Sequence, residues 1–261
     1  NMKDAALHSY LQKGQDIVDM NYKAIDAGAT AFVKVDVPAA WATAEDKADT
    51  TVITGREATV KVVKNVLTPV DKMDGDSLPV SAFVDYADGT FPLGAAAYEK
   101  RGIAVTVPQW NPDKCIQCNL CGFVCPHATS RPFALTEAEA AAAPAGTKMA
   151  EIKAGTGKGE YKFAVAVSPL DCMGCGVCVT QCKVGAIEMK PLESQLGEQP
   201  VFDYMVSEVA AKPEMFKKDN VKYSQFSQPY LEFSGSCAGC AETSYARLVT
   251  QLFGSRMMVS N

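Results

Sequence analysis

Eight of the ten cysteines in this 261-residue chain fall into two blocks with the same spacing. The blocks read CIQCNLCGFVC, residues 115–125, and CMGCGVCVTQC, residues 172–182. Such short spacings wrap the backbone around an iron–sulfur cluster, and in the bacterial two-cluster arrangement the fourth cysteine of each run binds the other cluster. The pattern therefore predicts two 4Fe-4S clusters with reciprocally shared ligands.

Each cluster is expected to take three cysteines from one block and the last cysteine from the other. The first set is Cys115, Cys118, Cys121 and Cys182, and the second is Cys172, Cys175, Cys178 and Cys125. Clusters held against each other transfer single electrons, so the repeat indicates an electron relay. In the alternative, the clusters only hold a loop-rich domain together, but one cluster would be enough for that.

Zinc and disulfides are the competing uses of CxxC pairs. A structural zinc takes four ligands from two such pairs, which leaves the third and fourth cysteines of each block unexplained. A disulfide framework is typical of small secreted chains, whereas this chain is large and its first residues show no export signal. Metal or cluster binding in a reducing cytoplasm is the favoured interpretation.

A third cysteine pair, Cys237 and Cys240, lies in the sequence GSCAGCAET before a predicted helix. A CxxC pair at a helix start can be a redox dithiol, because the helix N-terminus lowers the thiol pKa. No strand rich in β-branched residues immediately precedes this pair. We therefore favour a partial metal or cluster site that is completed by residues outside this chain.

Composition and charge narrow the class of protein. The chain is 48% hydrophobic and 21% charged, which is typical of a globular protein, and its net charge of -5 argues against nucleic acid as a partner. No apolar run approaches the roughly 18 residues that span a bilayer. We therefore expect no membrane segment.

The hydrophobic pattern predicts mixed α+β structure around the cysteine blocks. A helix is expected over residues 4–27 and a strand over 31–37, while 41–110 looks like an extended connector with little core. Between and after the blocks, LTEAEAAAAPAG predicts a short helix and KFAVAV and AIEMKPL predict strands. The last segment predicts a helix with an apolar face, Gly254 as its C-cap and a strand at RMMV. The helix face would contain Tyr245, Leu248, Val249 and Leu252.

Several motifs in order along the chain resemble the long single-chain pyruvate:ferredoxin (flavodoxin) oxidoreductases. They include YEKRGIAVTVPQW, the two cysteine blocks and FSGSCAGCAETSYARLVTQLFG, and the first and last are not shared by ordinary ferredoxins. A free-standing polyferredoxin is the alternative, but it needs no long extension before its clusters. The resemblance implies an internal segment of the longer enzyme.

The resemblance also implies a domain order and a set of cofactors. Residues 1–53 would be the tail of an α/β domain, 54–110 an EKR-type linker domain, 111–212 the ferredoxin-like domain, and 213–261 the start of a thiamine-diphosphate domain. The eight paired cysteines would hold the medial and distal clusters, and the Cys237 and Cys240 pair half of a third, proximal 4Fe-4S cluster.

The family oxidises pyruvate on thiamine diphosphate with Mg²⁺, passes the acetyl group to coenzyme A and reduces ferredoxin or flavodoxin. By resemblance alone, Glu242 lies near the thiamine; otherwise it is an acidic residue in the first turn of a helix. The family also suggests a homodimeric, cytoplasmic parent enzyme. The isolated chain is not expected to turn over pyruvate.

Two smaller signals have plain alternatives. The lysine-rich loop over residues 148–162 could steer an acidic ferredoxin, but a solvated loop is the favoured interpretation. His127 follows the first Cys-Pro and could be a ligand, but cysteines already complete the count. A packed or hydrogen-bonded histidine is therefore expected.

Overall fold

The computed structural model describes residues 1–45, 53–92, 94–153, 159–217 and 219–260. The chain divides into two compact units, Asn1–Val52 and Ile53–Asn261. No helix in these described ranges is long and apolar enough to cross a membrane.

The first unit contains two helices rather than the one predicted over residues 4–27. Helix α1 covers Met2–Tyr10 and α2 covers Gln15–Ala27. Gly14 separates them with a φ of 113°, a conformation that a helix does not contain and that glycine adopts readily. Val18 of α2 is fully buried in this unit.

The strand predicted over residues 31–37 is not formed, so this prediction was wrong. The apolar side chains Val33, Val35 and Val37 are all exposed. A strand needs a neighbour to satisfy its backbone N–H and C=O groups, and the described residues of this unit form no other strand. The predicted α/β character of the N-terminal segment is therefore not observed in these residues.

The segment after residue 53 contains helices instead of the predicted extended connector, while its core is small, as predicted. Helix α3, Glu57–Val62, continues through a π-helical turn, Val63–Leu67, into the short helix α4, Thr68–Asp71. Several short 3-10 turns follow. The buried core side chains are Val62, Val63 and Val66, with Ile53, Leu67, Leu78, Tyr86, Ala95 and Tyr98 packed against them.

Two small antiparallel sheets organise the cysteine region. The strands are β1, Thr106–Trp110; β2, Ser130–Leu135; β3, Ala150–Glu151; β4, Lys162–Val167; and β5, Ile187–Pro191. Strand β1 pairs with β5, and the second sheet has the order β2-β4-β3. The helices are α5, Leu120–Val124; α6, Glu137–Ala142; α7, Val177–Gln181; and α8, Glu198–Glu208.

The two cysteine blocks are related by the strand pairing. The strand before the first block, β1, pairs with the strand after the second, β5. Likewise β2, which follows the first block, pairs with β4, which precedes the second. Because both pairs are antiparallel, each block begins near the end of the other, and helices α5 and α7 lie in contact.

The core of this region lies against β4 and α8. Its largest fully buried side chains include Phe163, Phe202, Leu135 and Met205. Trp110 of β1 meets Phe163 edge to ring, with 5.8 Å between the ring centroids. The strands predicted at KFAVAV and AIEMKPL are confirmed as β4 and β5, and β4 is buried on both faces.

The predicted helix in LTEAEAAAAPAG is confirmed as α6. Thr136 caps it: the Thr136 hydroxyl accepts from the Glu139 N–H at 3.2 Å, and the Glu139 carboxylate accepts from the Thr136 N–H at 2.7 Å. This reciprocal pair is a capping box. Glu139 also pairs with Lys212 at 2.9 Å, which joins α6 to the segment after α8.

The last segment is helical, as predicted, but it buries the opposite face. Helix α9 covers Val221–Ser224 and α10 covers Ala241–Phe253, ending at Gly254 with a φ of 47°. The buried side chains of α10 are the polar Thr243, Arg247 and Gln251. The predicted apolar face is largely exposed, with Tyr245 at 60% and Leu252 at 41%.

Residues 256–259 form no strand, so that prediction was also wrong.

Candidate metal centres

The first cavity is lined by the cysteines predicted as the first set: Cys115, Cys118, Cys121 and Cys182. It contains about 360 Å³ of space, part of it open to solvent. Gln117 and Asn119 adopt left-handed conformations with φ of 59° and 61°, which turn the backbone between the first three sulfurs toward the cavity. Cys182 joins them from the end of α7 because that helix lies against α5. The fold thus brings three cysteines of the first block together with the last of the second.

The second cavity repeats the arrangement with the blocks exchanged. It is lined by Cys172, Cys175, Cys178 and Cys125, and it contains about 350 Å³. Glycines at 174 and 176 take the left-handed turns here, with φ of 67° and 73°. Pro108 of β1 and Met189 of β5 complete the apolar lining, so the β1–β5 pair forms one wall.

Backbone N–H groups lie close to the sulfurs of both sets. In the first set, Gln117 N donates to Cys115 Sγ at 3.3 Å and Ala186 N to Cys182 Sγ at 3.1 Å. In the second, Thr129 N donates to Cys125 Sγ at 3.3 Å and Gly174 N to Cys172 Sγ at 3.4 Å. Such donors stabilise negative charge on thiolate sulfur and are one determinant of cluster potential.

Burial disfavours free thiolates in these cavities. It raises the pKa of Cys121 to about 12 and that of Cys172 to about 12. Burial also raises the pKa of Cys178, and the nearby Cys125 and Cys121 thiolates add to the shift. Buried groups of this kind hold a proton unless a metal takes its place. Two sets of four sulfurs, each lining one largely apolar cavity, have the ligand number and type that a 4Fe-4S cluster needs.

Cys125 differs from the other buried cysteines. Burial acts to raise its pKa, but the Thr129 hydroxyl and the positive charge of Arg247 outweigh it, so the pKa is lowered. The Cys125 sulfur and Thr129 Oγ1 lie 3.4 Å apart. The site thus supplies its own stabilisation of a thiolate at this position.

The cysteine sulfurs are neither bonded to each other nor gathered around one point. All ten cysteines are free of disulfides. No three His, Cys, Asp or Glu side chains in the described ranges converge closely enough to hold a single metal ion. The sulfurs instead surround two cavities.

The third cysteine pair lies in a turn immediately before α10. Cys240 N donates to Cys237 O at 3.1 Å, and Cys237 is exposed to solvent. The pKa of Cys240 is lowered by hydrogen bonds from the side chain and backbone N–H of Thr243. A Cβ added to Gly239, between the two cysteines, would lie 3.5 Å from Cys175 Cβ. The pair is therefore adjacent to the second cavity.

His127 connects this turn to the first cysteine block. Its ring Nε2 lies 2.9 Å from the carbonyl oxygen of Ser236, and its own carbonyl accepts from Phe233 N at 2.9 Å. The side chain is only 2% exposed. The expected packed and hydrogen-bonded histidine is confirmed. Glu242, by contrast, is exposed in the first turn of α10.

The lysines of the loop over residues 148–162 are mostly engaged in contacts. Lys148 pairs with Glu198 at 2.7 Å, and Lys162 pairs with Glu151. Lys153 Nζ donates to the carbonyl oxygen of Cys115 at 2.5 Å, beside the first cavity. Lys158 belongs to the predicted docking loop but lies outside the described residues.

Sequence reasoning missed two buried arginines near the second cavity. Arg131 on β2 pairs with Glu232, and Arg247 on α10 lies against the end of α5. Both side chains are at most 6% exposed. The sequence around these arginines contains no pattern that marks a functional residue, except that Arg247 lies within FSGSCAGCAETSYARLVTQLFG.

Comparisons with known proteins agree with this geometry. Residues 111–186 match the 4Fe-4S dicluster domain, and residues 50–104 match EKR, a domain of unknown function. The chain therefore contains an iron–sulfur dicluster domain, and its fold is α+β.

The similarity extends over the whole chain. It is 48% identical to a pyruvate-flavodoxin oxidoreductase of Enterobacter agglomerans and 45% identical to a pyruvate:ferredoxin oxidoreductase of Moorella thermoacetica. It is also 40% identical to a pyruvate dehydrogenase [NADP(+)] of Cryptosporidium parvum. All three alignments cover 100% of the chain, but it spans only 22%, 22% and 14% of those proteins. The chain is thus homologous along its full length to one segment of the pyruvate-flavodoxin and pyruvate:ferredoxin oxidoreductases.

Proposed function

We propose that this chain is the electron-transfer segment of a pyruvate:flavodoxin or pyruvate:ferredoxin oxidoreductase. The observation that carries the proposal is the pair of cavities, each lined by three cysteines of one block and the last cysteine of the other. A free-standing polyferredoxin is less well supported, because the homology continues through residues on both sides of the dicluster domain.

In this proposal each set of four cysteines holds one 4Fe-4S cluster. The first set is Cys115, Cys118, Cys121 and Cys182, and the second is Cys172, Cys175, Cys178 and Cys125. Bound clusters supply one-electron transfer, while the protein provides thiolates, N–H donors to sulfur and a largely apolar lining. The lining also sets two distinct environments, since only the second set includes a cysteine next to a buried guanidinium.

The third pair, Cys237 and Cys240, is proposed as half of a further cluster site beside the second set. Its position next to Cys175 supports electron entry there. The first cavity has Ile116 and Val184 on its rim, 55% and 38% exposed, which favours electron exit at that side. Exposed apolar residues near a redox centre suit a small protein acceptor such as ferredoxin or flavodoxin.

The remaining partners belong to the parent enzyme. Pyruvate, coenzyme A and thiamine diphosphate with Mg²⁺ would act in parts of it outside this chain, with Glu242 at the side facing the thiamine. We also propose a dimeric parent in a reducing, cytoplasmic compartment. The domain divisions in this proposal are 1–53, 54–110, 111–212 and 213–261, and the EKR and dicluster matches fall close to the middle two.

Iron and acid-labile sulfide analysis of the anaerobically prepared chain tests this proposal, together with EPR of the reduced sample. Two clusters give about eight irons per chain and the spectrum of two interacting centres. A value of about twelve would mean that Cys237 and Cys240 assemble a third cluster within this chain. Zinc without iron would overturn the proposal.

Paired substitutions test the exchange of ligands between the blocks. The double variant of Cys115→Ser with Cys182→Ser should lose one cluster and keep about four irons. The matched double variant of Cys115→Ser with Cys125→Ser should lose both clusters. If the two double variants retained equal iron, the reciprocal assignment would be wrong.

A further inference from the structure

Arg247 is a buried cation at the end of the first cluster helix. It is 3% exposed, and its guanidinium donates to the carbonyl oxygens of Gly122 and Phe123, both at 2.5 Å. These carbonyls belong to α5, which ends immediately before Cys125. A positive charge carried by α10 is thereby fixed next to a cysteine of the second set.

Arg247 has no carboxylate partner within ion-pair distance among the described residues. The other buried arginine nearby, Arg131, is neutralised by Glu232. Arg247 Nε is buried without a hydrogen-bond partner in the described part of the chain. An isolated buried charge is unfavourable unless it is paired, so an anion is expected close to this group.

The anionic group that these contacts place beside Arg247 is Cys125, because Arg247 binds the Phe123 carbonyl and Ser244 of the same helix donates to the Val124 carbonyl at 3.4 Å, directly before Cys125. A 4Fe-4S cluster with four thiolate ligands is itself negatively charged, and net charge nearby is a determinant of its potential.

We propose that Arg247 is the counter-charge of the second cysteine set, a positioning residue that raises the reduction potential of the cluster bound there relative to the first. This inference rests on the proposed function, because it needs both clusters. A fixed cation favours the more negative, reduced state. It therefore favours transfer of an electron from the third pair to the second set.

Helix α10 gives the proposal a structural consequence. The helix begins directly after Cys240 and carries Arg247 two turns later, so one rigid element holds a ligand of the third site and the counter-charge of the second. Any movement of this helix against α5 would change the separation of the third pair and the potential of its electron acceptor together.

Potentiometric titration of the cluster-loaded chain, followed by EPR, tests the proposal with Arg247→Met and Arg247→Lys. Paramagnetically shifted cysteine proton signals in NMR assign each potential to its cluster. For charges on the order of 10 Å apart at an effective dielectric constant of about 20, the Met variant should weaken reduction of the second cluster by about tenfold. That corresponds to about 59 mV for a one-electron couple, toward lower potential.

The Lys variant should keep most of this potential, because it keeps the charge. Arg256→Met is the matched control, since it removes an exposed cation just after the same helix. It should change neither potential. The iron content of each variant separates failure of this inference from failure of the proposed function, because eight irons with unshifted potentials would overturn only the inference.

The remaining outcomes are also decisive. If the Met variant loses the second cluster while the Lys variant keeps it, the charge is required for assembly and the proposal is supported. Equal loss of the second cluster in the Met and Lys variants would overturn the proposal, because it would show that the hydrogen bonds to α5, and not the charge, are required for the cluster. Equal shifts of both clusters in the Met variant would likewise overturn the proposal.

Discussion

Two glycines of the second cysteine block differ in how much space surrounds them. Gly174 and Gly176 both have positive φ, 67° and 73°. A Cβ added to Gly174 would lie 3.0 Å from the carbonyl oxygen of Thr106 and 3.2 Å from Ala104 Cβ, whereas one added to Gly176 meets nothing within 4 Å. An alanine at either position would have the same strained backbone conformation. The two variants differ only in the contact with Thr106 of β1 and with Ala104 just before it.

The expected magnitudes follow from this difference. An alanine in the left-handed region costs about 1–2 kcal/mol, and overpacking against fixed backbone adds about 1–3 kcal/mol. When opening of the loop relieves the strain, each ~1.4 kcal/mol raises the rate about tenfold. Gly176→Ala should therefore accelerate cluster loss about tenfold, and Gly174→Ala by about a further tenfold or more.

The assay is the loss of visible cluster absorption from the anaerobic chain in the presence of an iron chelator. Both variants are compared with the unchanged chain at the same iron content. Equal rates for the two alanine variants would refute the reasoning, because they would show that the close approach of β1 to this loop does not constrain it. A faster loss in Gly176→Ala would refute it more strongly.

Two further predictions concern the surroundings of the clusters. Thr136→Ala removes the capping box shared with Glu139 and should lower the free energy of unfolding by about 1 kcal/mol, measured by denaturant unfolding under anaerobic conditions. Thr147→Ala is its control: it removes a local bond in which the Thr147 hydroxyl donates to the Pro144 carbonyl, and it should cost less. Glu232→Gln leaves the buried Arg131 charge uncompensated and should cost about 3 kcal/mol in the same experiment. An effect below that of Thr136→Ala would mean that this ion pair contributes little.

The chemistry of the site was readable from the sequence because cluster ligation depends on spacing. The short gaps between cysteines restrict where their sulfurs can lie, and the fold brings together the two sets that were predicted. Strands β4 and β5 could also be predicted, since FAVAV is an uninterrupted apolar run and IEMK alternates apolar with charged residues.

Strands β1 and β2 were not predicted, and proline explains this. Pro108 lies in the middle of β1 and Pro132 in β2, where the missing N–H normally argues against a strand. Both strands lie at sheet edges, in the pair β1–β5 and in the order β2-β4-β3, so a proline there can be accommodated. A single sequence does not reveal which strands are edges.

The buried face of α10 was predicted wrongly for a different reason. Periodicity separates an apolar face from a polar one, but it does not identify which face has a partner within the chain. Arg247 and Gln251 find carbonyl acceptors on α5 and near α9, at residues 122, 123, 224 and 227. These long-range acceptors are set by the tertiary fold, so Arg247 had no local signal as a site residue.

The nested strand pairing constrains the order in which this region can be built during synthesis. In the outer pair, β1–β5, Trp110 pairs with Ile187, and in the inner pair, β2–β4, Ser130 pairs with Val167. Each pair can form only after its second strand has been synthesised. The inner pair is therefore available first, and the outer pair can close only after the second cysteine block has left the ribosome. Until then the first block has neither β5 paired with its neighbouring strand β1 nor Cys182, the fourth cysteine of its set. Cluster insertion is thus a late event for this segment, and its period of greatest exposure to oxidants falls before the chain has folded.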